Sequence, residues 1–229
     1  MILKPVGVDG VLAVLGDSIS EATGARVAAM NDALLAEPPR GMLETIPAYA
    51  SLLVRFDPFA ADYEALCARL RTLEAGISER EAAEGCVVEL PVCYGEAFGE
   101  DLPFVAAHAG LSEEEVVRLH SGATYRIYML GFLPGFPYLG GLDARLHTPR
   151  LDTPRTRIPA GSVGIGGQQT GVYPLDSPGG WRLIGRTPVP LSDPERLPYR
   201  AGDRIRFVPI DPEMYVRIEA RCREGKPWR

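Results

Sequence analysis

The chain has 229 residues, 46% of them hydrophobic, so it can bury the core of one large domain or of two smaller ones. Its formal net charge of −6 disfavours non-specific attraction to nucleic acid or to an anionic membrane. No apolar run approaches the length of a membrane span, and the first residues lack the charged start and long apolar centre of a secretory signal. We therefore expect a soluble cytoplasmic protein that binds neither nucleic acid nor membranes.

The first third of the chain has the pattern of a small α+β domain. The predicted elements are, in chain order, a strand over residues 11–15, a helix from Ser18 or Ser20 to about residue 35, strands over residues 42–46 and 51–56, a helix opened by Asp57-Pro58, and a strand over residues 86–92. The order strand, helix, strand, strand, helix, strand is typical of a ferredoxin-like sandwich. We place this domain at residues 1–84.

The pattern changes in residues 85–229, which we predict to form a second domain. Asp101 can cap a short helix, and Ser112 with Glu115 forms a capping box for a helix that ends near residue 119 or 120. Short extended pieces then alternate with turns, at residues 124–132, 161–165, 171–175, 181–186 and 203–209. Strands this short and this regularly interrupted favour a closed or nearly closed β-barrel over a parallel sheet with helical crossovers.

The cysteines and histidines do not have the spacing of a metal site. No pair of cysteines is close enough for a zinc or redox motif, and no histidine pairs with another ligand at helical spacing. The residues concerned are Cys67, Cys86, Cys93, Cys222, His108, His120 and His147. We expect reduced thiols and no bound metal.

The stretch from residue 125 to residue 188 is dense in glycine, proline and polar side chains, which indicates a rigid, many-turned surface. Gly166 to Gly171 has the glycine spacing of a phosphate loop but lacks its lysine, and Gly164-Ile165-Gly166 begins a dinucleotide motif without the third glycine. Neither motif supports a nucleotide site built by this chain alone. The amides of these turns can form an anion-binding nest, or the turns can simply be barrel corners.

His120 and a group of aromatic residues are further candidates. His120 closes a helix just before the glycine-rich region, so it is either an acid or base facing a cleft or a charged histidine at a helix C-terminus. Phe132, Phe136 and Tyr138 lie between turn formers and predict an apolar groove; a buried barrel rim is the alternative.

Three long segments resemble one known family. GFLPGFPYLGGLD, TPRTRIPAGSVGIGGQQTGVYP and DSPGGWRLIGRTP are similar to the PxpB/KipI family, also called allophanate hydrolase subunit 1, and the resemblance covers essentially the whole chain. It implies an N-terminal α+β module followed by a cyclophilin-like β-barrel. It also links the chain to the carboxyltransferase region of urea carboxylases.

The resemblance implies a component of a multi-chain enzyme. Many such proteins form the B subunit of an ATP-dependent 5-oxoprolinase, which opens 5-oxo-L-proline to L-glutamate with a C-subunit partner (PxpC) and an A-subunit partner (PxpA). ATP, with Mg²⁺, is then expected at the level of the complex, without biotin on this chain, and the chain is expected to be inactive alone. The alternatives are an inhibitor of a sensor histidine kinase and a subunit of an allophanate hydrolase or urea carboxylase-like complex.

Opening a lactam requires cationic donors and main-chain amides around developing negative charge. As catalytic residues we predict Arg155, Arg157 and His120. As substrate-binding or nucleotide-binding residues we predict Ser162, Gly166, Gln168, Gln169, Thr170, Ser177, Gly179, Trp181 and Arg186.

Overall fold

The computed structural model describes residues 1–77, 85–193 and 196–228, and the chain divides into two compact units, Met1–Glu84 and Gly85–Arg229. The elements of the first unit are β1 (Ile2–Val6), β2 (Gly10–Val14), α1 (Glu21–Ala36), β3 (Met42–Pro47), β4 (Ser51–Phe56) and α2 (Tyr63–Gly76). The strands form an antiparallel sheet in the order β1-β2-β4-β3. Alternate residues of β2 and β4, such as Val11 and Leu52, are buried with Met30 and Leu34 of α1.

Local capping chemistry fixes where both helices of this unit begin. The hydroxyl of Ser20 accepts a hydrogen bond from Thr23 N at 3.2 Å, and the carboxylate of Asp62 accepts one from Ala65 N at 3.0 Å. The predicted cap at Ser20 is therefore confirmed. The second helix begins later than the predicted start at Asp57-Pro58, because Asp62 is the residue that satisfies its free amides.

The predicted order of elements in this unit is wrong at both ends. The strand beside β2 is β1, which precedes it in the chain. Residues 87–92 of the predicted last strand instead belong to a strand of the second unit. A run of apolar residues shows that a segment is extended but not which strand it pairs with. β1 is also a weak signal, because Pro5 interrupts it and most of its residues are exposed.

The second unit contains the closed β-barrel that the sequence predicts. Its elements are β5 (Val87–Tyr94), α3 (Leu102–Ala109), α4 (Glu113–Gly122), β6 (Thr124–Leu130), β7 (Pro137–Gly140), β8 (Arg155–Ile158), β9 (Ser162–Gly166), β10 (Gln169–Val172), β11 (Ser177–Gly179), β12 (Arg182–Arg186), β13 (Arg204–Pro209) and α5 (Pro212–Arg223), with 3₁₀ turns at Glu96–Phe98 and Ala144–Leu146. The barrel order is β10-β7-β6-β13-β5-β12-β9. β5 and β13 pair in parallel, and the other neighbours pair antiparallel.

The barrel has two apolar clusters. The inner cluster contains Tyr125, Ile127, Val163 and Phe207, which are almost fully buried. A second cluster, here called the outer cluster, consists of Phe136, Ile158, Tyr173, Trp181 and Leu183. Ile158 lies on β8, and Trp181 follows β11 by two residues, so the two-stranded ribbon of β8 and β11 contributes to the outer cluster.

Helix caps again agree with sequence chemistry. Ser112 and Glu115 form the predicted capping box, with bonds of 3.2 Å and 2.9 Å, and α4 continues to Gly122. Helix α5 was not predicted, although Asp211 caps it by accepting a hydrogen bond from Met214 N at 2.7 Å and Pro212 occupies its first turn. The four cysteines are free thiols.

Candidate functional site: a recess beside helix α5

The glycine-rich motif is a tight β-hairpin. Gly166 at the end of β9 pairs with Gln169 at the start of β10. The turn between the two strands consists of Gly167, which has a φ of +65°, and Gln168, which is exposed. The amide of Gly167 donates to Thr148 O at 2.8 Å. Because that amide is already bonded, it is not free to bind a phosphate, which favours the barrel-corner interpretation at Gly167.

The packing of Trp181 explains why position 166 is a glycine. A β-carbon at this position would lie 2.4 Å from Cδ1 of Trp181, so the indole ring rests directly on the strand. Gly179 has a similar role on the ribbon, where a β-carbon would lie 2.7 Å from the hydroxyl oxygen of Tyr173. Arg150 stacks over Trp181 and donates to Gln169 Oε1 at 3.3 Å. Three predicted binding residues, Gly166, Gly179 and Trp181, therefore take part in the packing of the outer cluster.

His120 does not face a cleft. Its side chain is fully buried in the barrel, where Nδ1 lies 2.8 Å from the hydroxyl of Tyr94 and Nε2 lies 2.8 Å from the hydroxyl of Thr170. Thr170 donates its hydroxyl hydrogen to Gly164 O, so Nε2 of His120 is the donor to Thr170 and Nδ1 accepts from Tyr94. Burial lowers the pKa of His120 to about 3, which keeps the ring neutral. This corrects both the acid-base prediction and the charged-histidine alternative.

Arg155 is held by acidic neighbours. Its Nη2 lies 2.9 Å from the carboxylate of Asp101, its Nε lies 3.0 Å from Glu100, and its Nη1 donates to Trp181 O at 3.3 Å. Asp101 is 7% exposed and also accepts a hydrogen bond from Leu183 N at 2.6 Å. The carboxylate that the sequence presents as a helix cap instead ties α3 to β8 and β12.

Arg157 is exposed and paired. Its side chain is 76% exposed, and its Nη2 lies 2.6 Å from Oδ2 of Asp176. The other carboxylate oxygen accepts a hydrogen bond from Ala160 N at 2.8 Å. The amide of Ala160 and the Arg157 guanidinium lower the pKa of Asp176. This pair stands at the edge of the recess, because Asp176 is one of the recess residues.

The recess has a volume of about 540 Å³ and lies between helix α5 and three loops of the barrel unit. Tyr215, Glu219, Cys222 and Arg223 form one face of α5 and line one side. The loops contribute the remaining walls, namely Ala160, Gly161, Pro174, Leu175, Asp176, Thr187, Pro188, Val189, Pro190, Leu191 and Ser192. The walls are mostly apolar, and the charged residues among them are Asp176, Glu219 and Arg223.

Arg186 and two serines complete the predicted set. Nε of Arg186 and the hydroxyls of Ser162 and Ser177 are buried without a hydrogen-bond partner among the described residues. The positive charge of Arg186 contributes to the lowered pKa of Asp176. Burial raises the pKa of Tyr215, and the charge of Arg186 partly opposes that increase. The structure thus pairs Arg157 with Asp176 of the recess wall and leaves Arg186 within electrostatic range of Asp176 and Tyr215, whereas it directs Arg155 to Asp101.

Most of the predicted apolar groove is buried in the outer cluster. Phe136 is 2% exposed and Trp181 is 6% exposed, and both belong to the outer cluster, with Tyr138 packed against it. Only Phe132 of the three predicted groove residues is exposed, at 64%, in a left-handed backbone conformation with a φ of +63°. The buried-rim alternative is therefore correct for Phe136, since edge-to-face contacts with Tyr138, Tyr173 and Trp181 enclose its ring.

Sequence reasoning missed the contribution of α5 to the recess. The i, i+4, i+7 and i+8 spacing of Tyr215, Glu219, Cys222 and Arg223 places them on one helix face and was the available signal. Among residues 1–77, 85–193 and 196–228, the structure shows no cluster of three or more His, Cys, Asp or Glu side chains that could hold a metal. Nor is any helix in these ranges long and apolar enough to cross a bilayer.

Comparison with known proteins identifies the family. Residues 1–201 match the family described as Carboxyltransferase domain, subdomain C and D. The chain is 41% identical over 226 residues to the B subunit of 5-oxoprolinase from Bacillus subtilis, with 93% of this chain and 94% of the relative covered. The chain belongs to the PxpB/KipI family. A second member, the 5-oxoprolinase B subunit of Escherichia coli O157:H7, is 58% identical over 135 residues, which cover 58% of this chain and 62% of the relative.

The PxpB/KipI chain also resembles a solved structure. The crystal structure of TTHA0988 is 42% identical with a TM-score of 0.76, and the match covers 88% of this chain. This chain spans only 40% of TTHA0988. The same unit therefore also occurs as part of a larger polypeptide.

Proposed function

We propose that the chain is the B subunit of an ATP-dependent 5-oxoprolinase that opens 5-oxo-L-proline to L-glutamate together with a C subunit and an A subunit. This proposal rests on the alignment with a relative named as the B subunit of 5-oxoprolinase, which covers nearly the whole length of this chain and of that relative. Relatives named urea amidolyase are only 25% and 27% identical, which supports the urea-processing alternative less well.

The recess beside α5 supports a role in handling an anionic substrate. Opening a lactam develops negative charge on the carbonyl oxygen, and cationic donors held in a partly water-excluded site stabilise such charge. Arg157 and Arg186 are near the recess, and Arg223 lines it. We assign these arginines to substrate contact because they lie at or near the recess. We assign Arg155 to positioning because its partners, Glu100 and the nearly buried Asp101, are not residues of the recess wall.

We further propose that the active site is composite. The hairpin of β9 and β10 lacks the lysine of a phosphate loop, and the amide of Gly167 is already bonded to Thr148. The nucleotide and its Mg²⁺ would then be bound mainly by a partner chain, in the same cytoplasmic complex. The occurrence of this unit within the longer TTHA0988 chain is consistent with a function that needs additional polypeptide.

The kinase-inhibitor alternative has less support. It requires exposed anchors in the predicted groove, but Phe136 and Trp181 are buried in the outer cluster. Phe132 remains as a single exposed aromatic residue of that set. No other observation favours this function.

Reconstitution tests the proposal. The chain is purified with a C-subunit and an A-subunit partner, and glutamate release from 5-oxoproline is measured with and without ATP. We expect ATP-dependent release from the three-chain mixture and none from the single chain. Absence of release from a correctly assembled mixture would contradict the proposed function. Turnover by the chain alone would contradict the composite site.

A further inference from the structure

Phe59 is fully exposed on the loop between β4 and α2, and the backbone of that loop is fixed by hydrogen bonds. The carboxylate of Asp57 accepts a hydrogen bond from Phe59 N at 2.9 Å. The carbonyl oxygen of Asp57 accepts two more, from the amides of Ala60 at 3.0 Å and Ala61 at 2.9 Å. Pro58 restricts the backbone further. An aromatic ring on so constrained a loop loses little conformational freedom when a second surface covers it.

An open apolar pocket of about 250 Å³ lies beside this loop, within the first unit. The apolar part of its wall consists of Pro39, Met42, Phe56, Ala61, Ala65 and Leu66, and Ala60, which follows Phe59 in the chain, also lines it. The pocket is smaller than the roughly 300–1,000 Å³ typical of sites for small molecules, and it suits a single aromatic side chain. Phe59 does not fill the pocket of its own chain, because its ring is wholly exposed.

The pocket is also lined by one residue of each charge. Arg40 and Asp62 belong to its wall, and both are exposed. In the part of the chain that the structure describes, neither side chain forms an ion pair. Asp62 caps α2 by accepting from Ala65 N at 3.0 Å, which leaves its negative charge unneutralised. An accessible partner can therefore reach a free cation and a free carboxylate at the same pocket.

These features are complementary to a second copy of the same chain. When two copies are related by a two-fold axis, the same patch faces itself, so each feature meets its neighbour on the other copy. The ring of Phe59 then faces the apolar pocket, and Arg40 faces Asp62 of the opposite sign. A partner of different sequence would have to supply both a ring and a pocket of its own.

The size of this contact indicates a weak dimer. A buried phenylalanine removes about 200 Å² from solvent, so two rings with the matching pocket walls remove about 800 Å² in total. Stable specific interfaces begin at roughly 1,200 Å². The net charge of −6 on each chain also opposes association. We therefore expect a reversible dimer that depends on protein concentration.

We infer that the first unit contains a self-association surface, in which Phe59 of each copy enters the pocket beside α2 of a second copy and Arg40 of each copy pairs with Asp62 of the other. This inference goes beyond the proposed function and does not depend on it, because it uses residues of the first unit alone. It implies that this chain can join two copies of any assembly to which it belongs.

Sedimentation equilibrium of the full-length chain tests the surface. In about 0.15 M salt we expect a monomer–dimer equilibrium with a dissociation constant between about 10 and 500 µM. Phe59→Ala should weaken the dimer about 10-fold or more. Ala65→Leu narrows the pocket without changing Phe59 and should weaken the dimer by a similar factor. A chain that stays monomeric up to about 1 mM, or full dimerisation by either variant, would overturn the inference.

Phe132→Ala is the matched control, because Phe132 is an exposed phenylalanine of the second unit. It should dimerise like the unmodified chain, and loss of the dimer in this variant but not in Phe59→Ala would place the contact elsewhere. Thermal unfolding identifies any variant that fails to fold. Phe59→Ala should unfold like the unmodified chain, since it removes a side chain that contacts solvent only.

A double-mutant cycle tests the charges. Asp62→Asn removes the carboxylate but keeps the helix cap, because asparagine caps as well as aspartate. Arg40→Gln and Asp62→Asn should each weaken the dimer about 2–5-fold, and the double variant should lose little more than the stronger single variant. Fully independent effects would contradict the pairing of Arg40 with Asp62.

The C subunit is the competing occupant of the pocket. If the chain alone is monomeric and Phe59→Ala weakens binding of the C subunit, the pocket binds that partner and the inference is overturned. Glutamate release is measured separately by the reconstitution assay. Release by a complex whose B subunit does not dimerise leaves the proposed function standing, and a dimer without release leaves the self-association surface standing.

Discussion

Nε2 of His120 lies 2.8 Å from the hydroxyl of Thr170, inside a barrel that excludes solvent from both groups. The contact joins α4 to β10, and a further bond of 2.8 Å joins the same ring to Tyr94 on β5. A histidine in such a network stabilises the fold only while it is neutral, since charging the ring would bury an uncompensated cation. His120 is therefore a structural residue whose effect depends on pH.

The first prediction concerns acid sensitivity. The pKa of His120 is about 3 in the folded chain and near 6.5 when unfolded, so the unfolded state binds the proton more readily. This contribution to stability is complete above pH 6.5 and falls as the pH decreases from 6.5 towards 3, by about 1.4 kcal/mol per unit at most. Urea unfolding at several pH values should show a steeper acid loss for the unmodified chain than for His120→Gln. Parallel pH profiles would contradict this role.

A second prediction concerns Asp101. Asp101→Ala removes the partner of Arg155 and the acceptor for Leu183 N, so the free energy of unfolding should fall by about 3 kcal/mol. The matched control is Glu224→Gln, which removes the exposed pair with Lys226 and should cost less than about 1 kcal/mol. Equal effects of the two substitutions in chemical denaturation would show that Asp101 does not connect α3 to the barrel.

A third prediction tests the packing of Trp181. Gly166→Ala should destabilise the barrel unit by about 1–3 kcal/mol, because a β-carbon would overlap the indole ring. The near-ultraviolet circular dichroism of the aromatic cluster should change as well. Gly122→Ala is the control, since its β-carbon meets no atom within 4 Å, and it should be neutral or slightly stabilising. A neutral Gly166→Ala would exclude the close contact.

A fourth prediction concerns Arg157 in the assembled complex. Because the side chain is 76% exposed, Arg157→Ala should leave the unfolding free energy nearly unchanged. If Arg157 contacts the substrate, turnover of 5-oxoproline should fall about 10-fold or more. Steady-state kinetics of the reconstituted complex, beside denaturation of the variant chain, distinguish the two effects. Unchanged turnover would remove Arg157 from the site.

Local chemistry determined several parts of the fold. The caps at Ser20 and Ser112 could be predicted because a side chain and an amide three residues away decide them. The closed barrel could be predicted because short strands between frequent turns have few other ways to protect their edges. The family was also evident in the sequence, since long glycine-rich and proline-rich segments carry it.

Tertiary structure decided the residues that depend on distant partners. His120 and Phe136 look like functional residues in the sequence, but the barrel buries His120 and the outer cluster buries Phe136. Asp101 looks like a cap, yet Arg155 and Leu183, far along the chain, take its carboxylate. Arg157 pairs with Asp176, and only the packing of α5 against the barrel loops makes Asp176 part of a recess wall. Sequence patterns report local preference, whereas burial and charge pairing depend on which segments meet after folding.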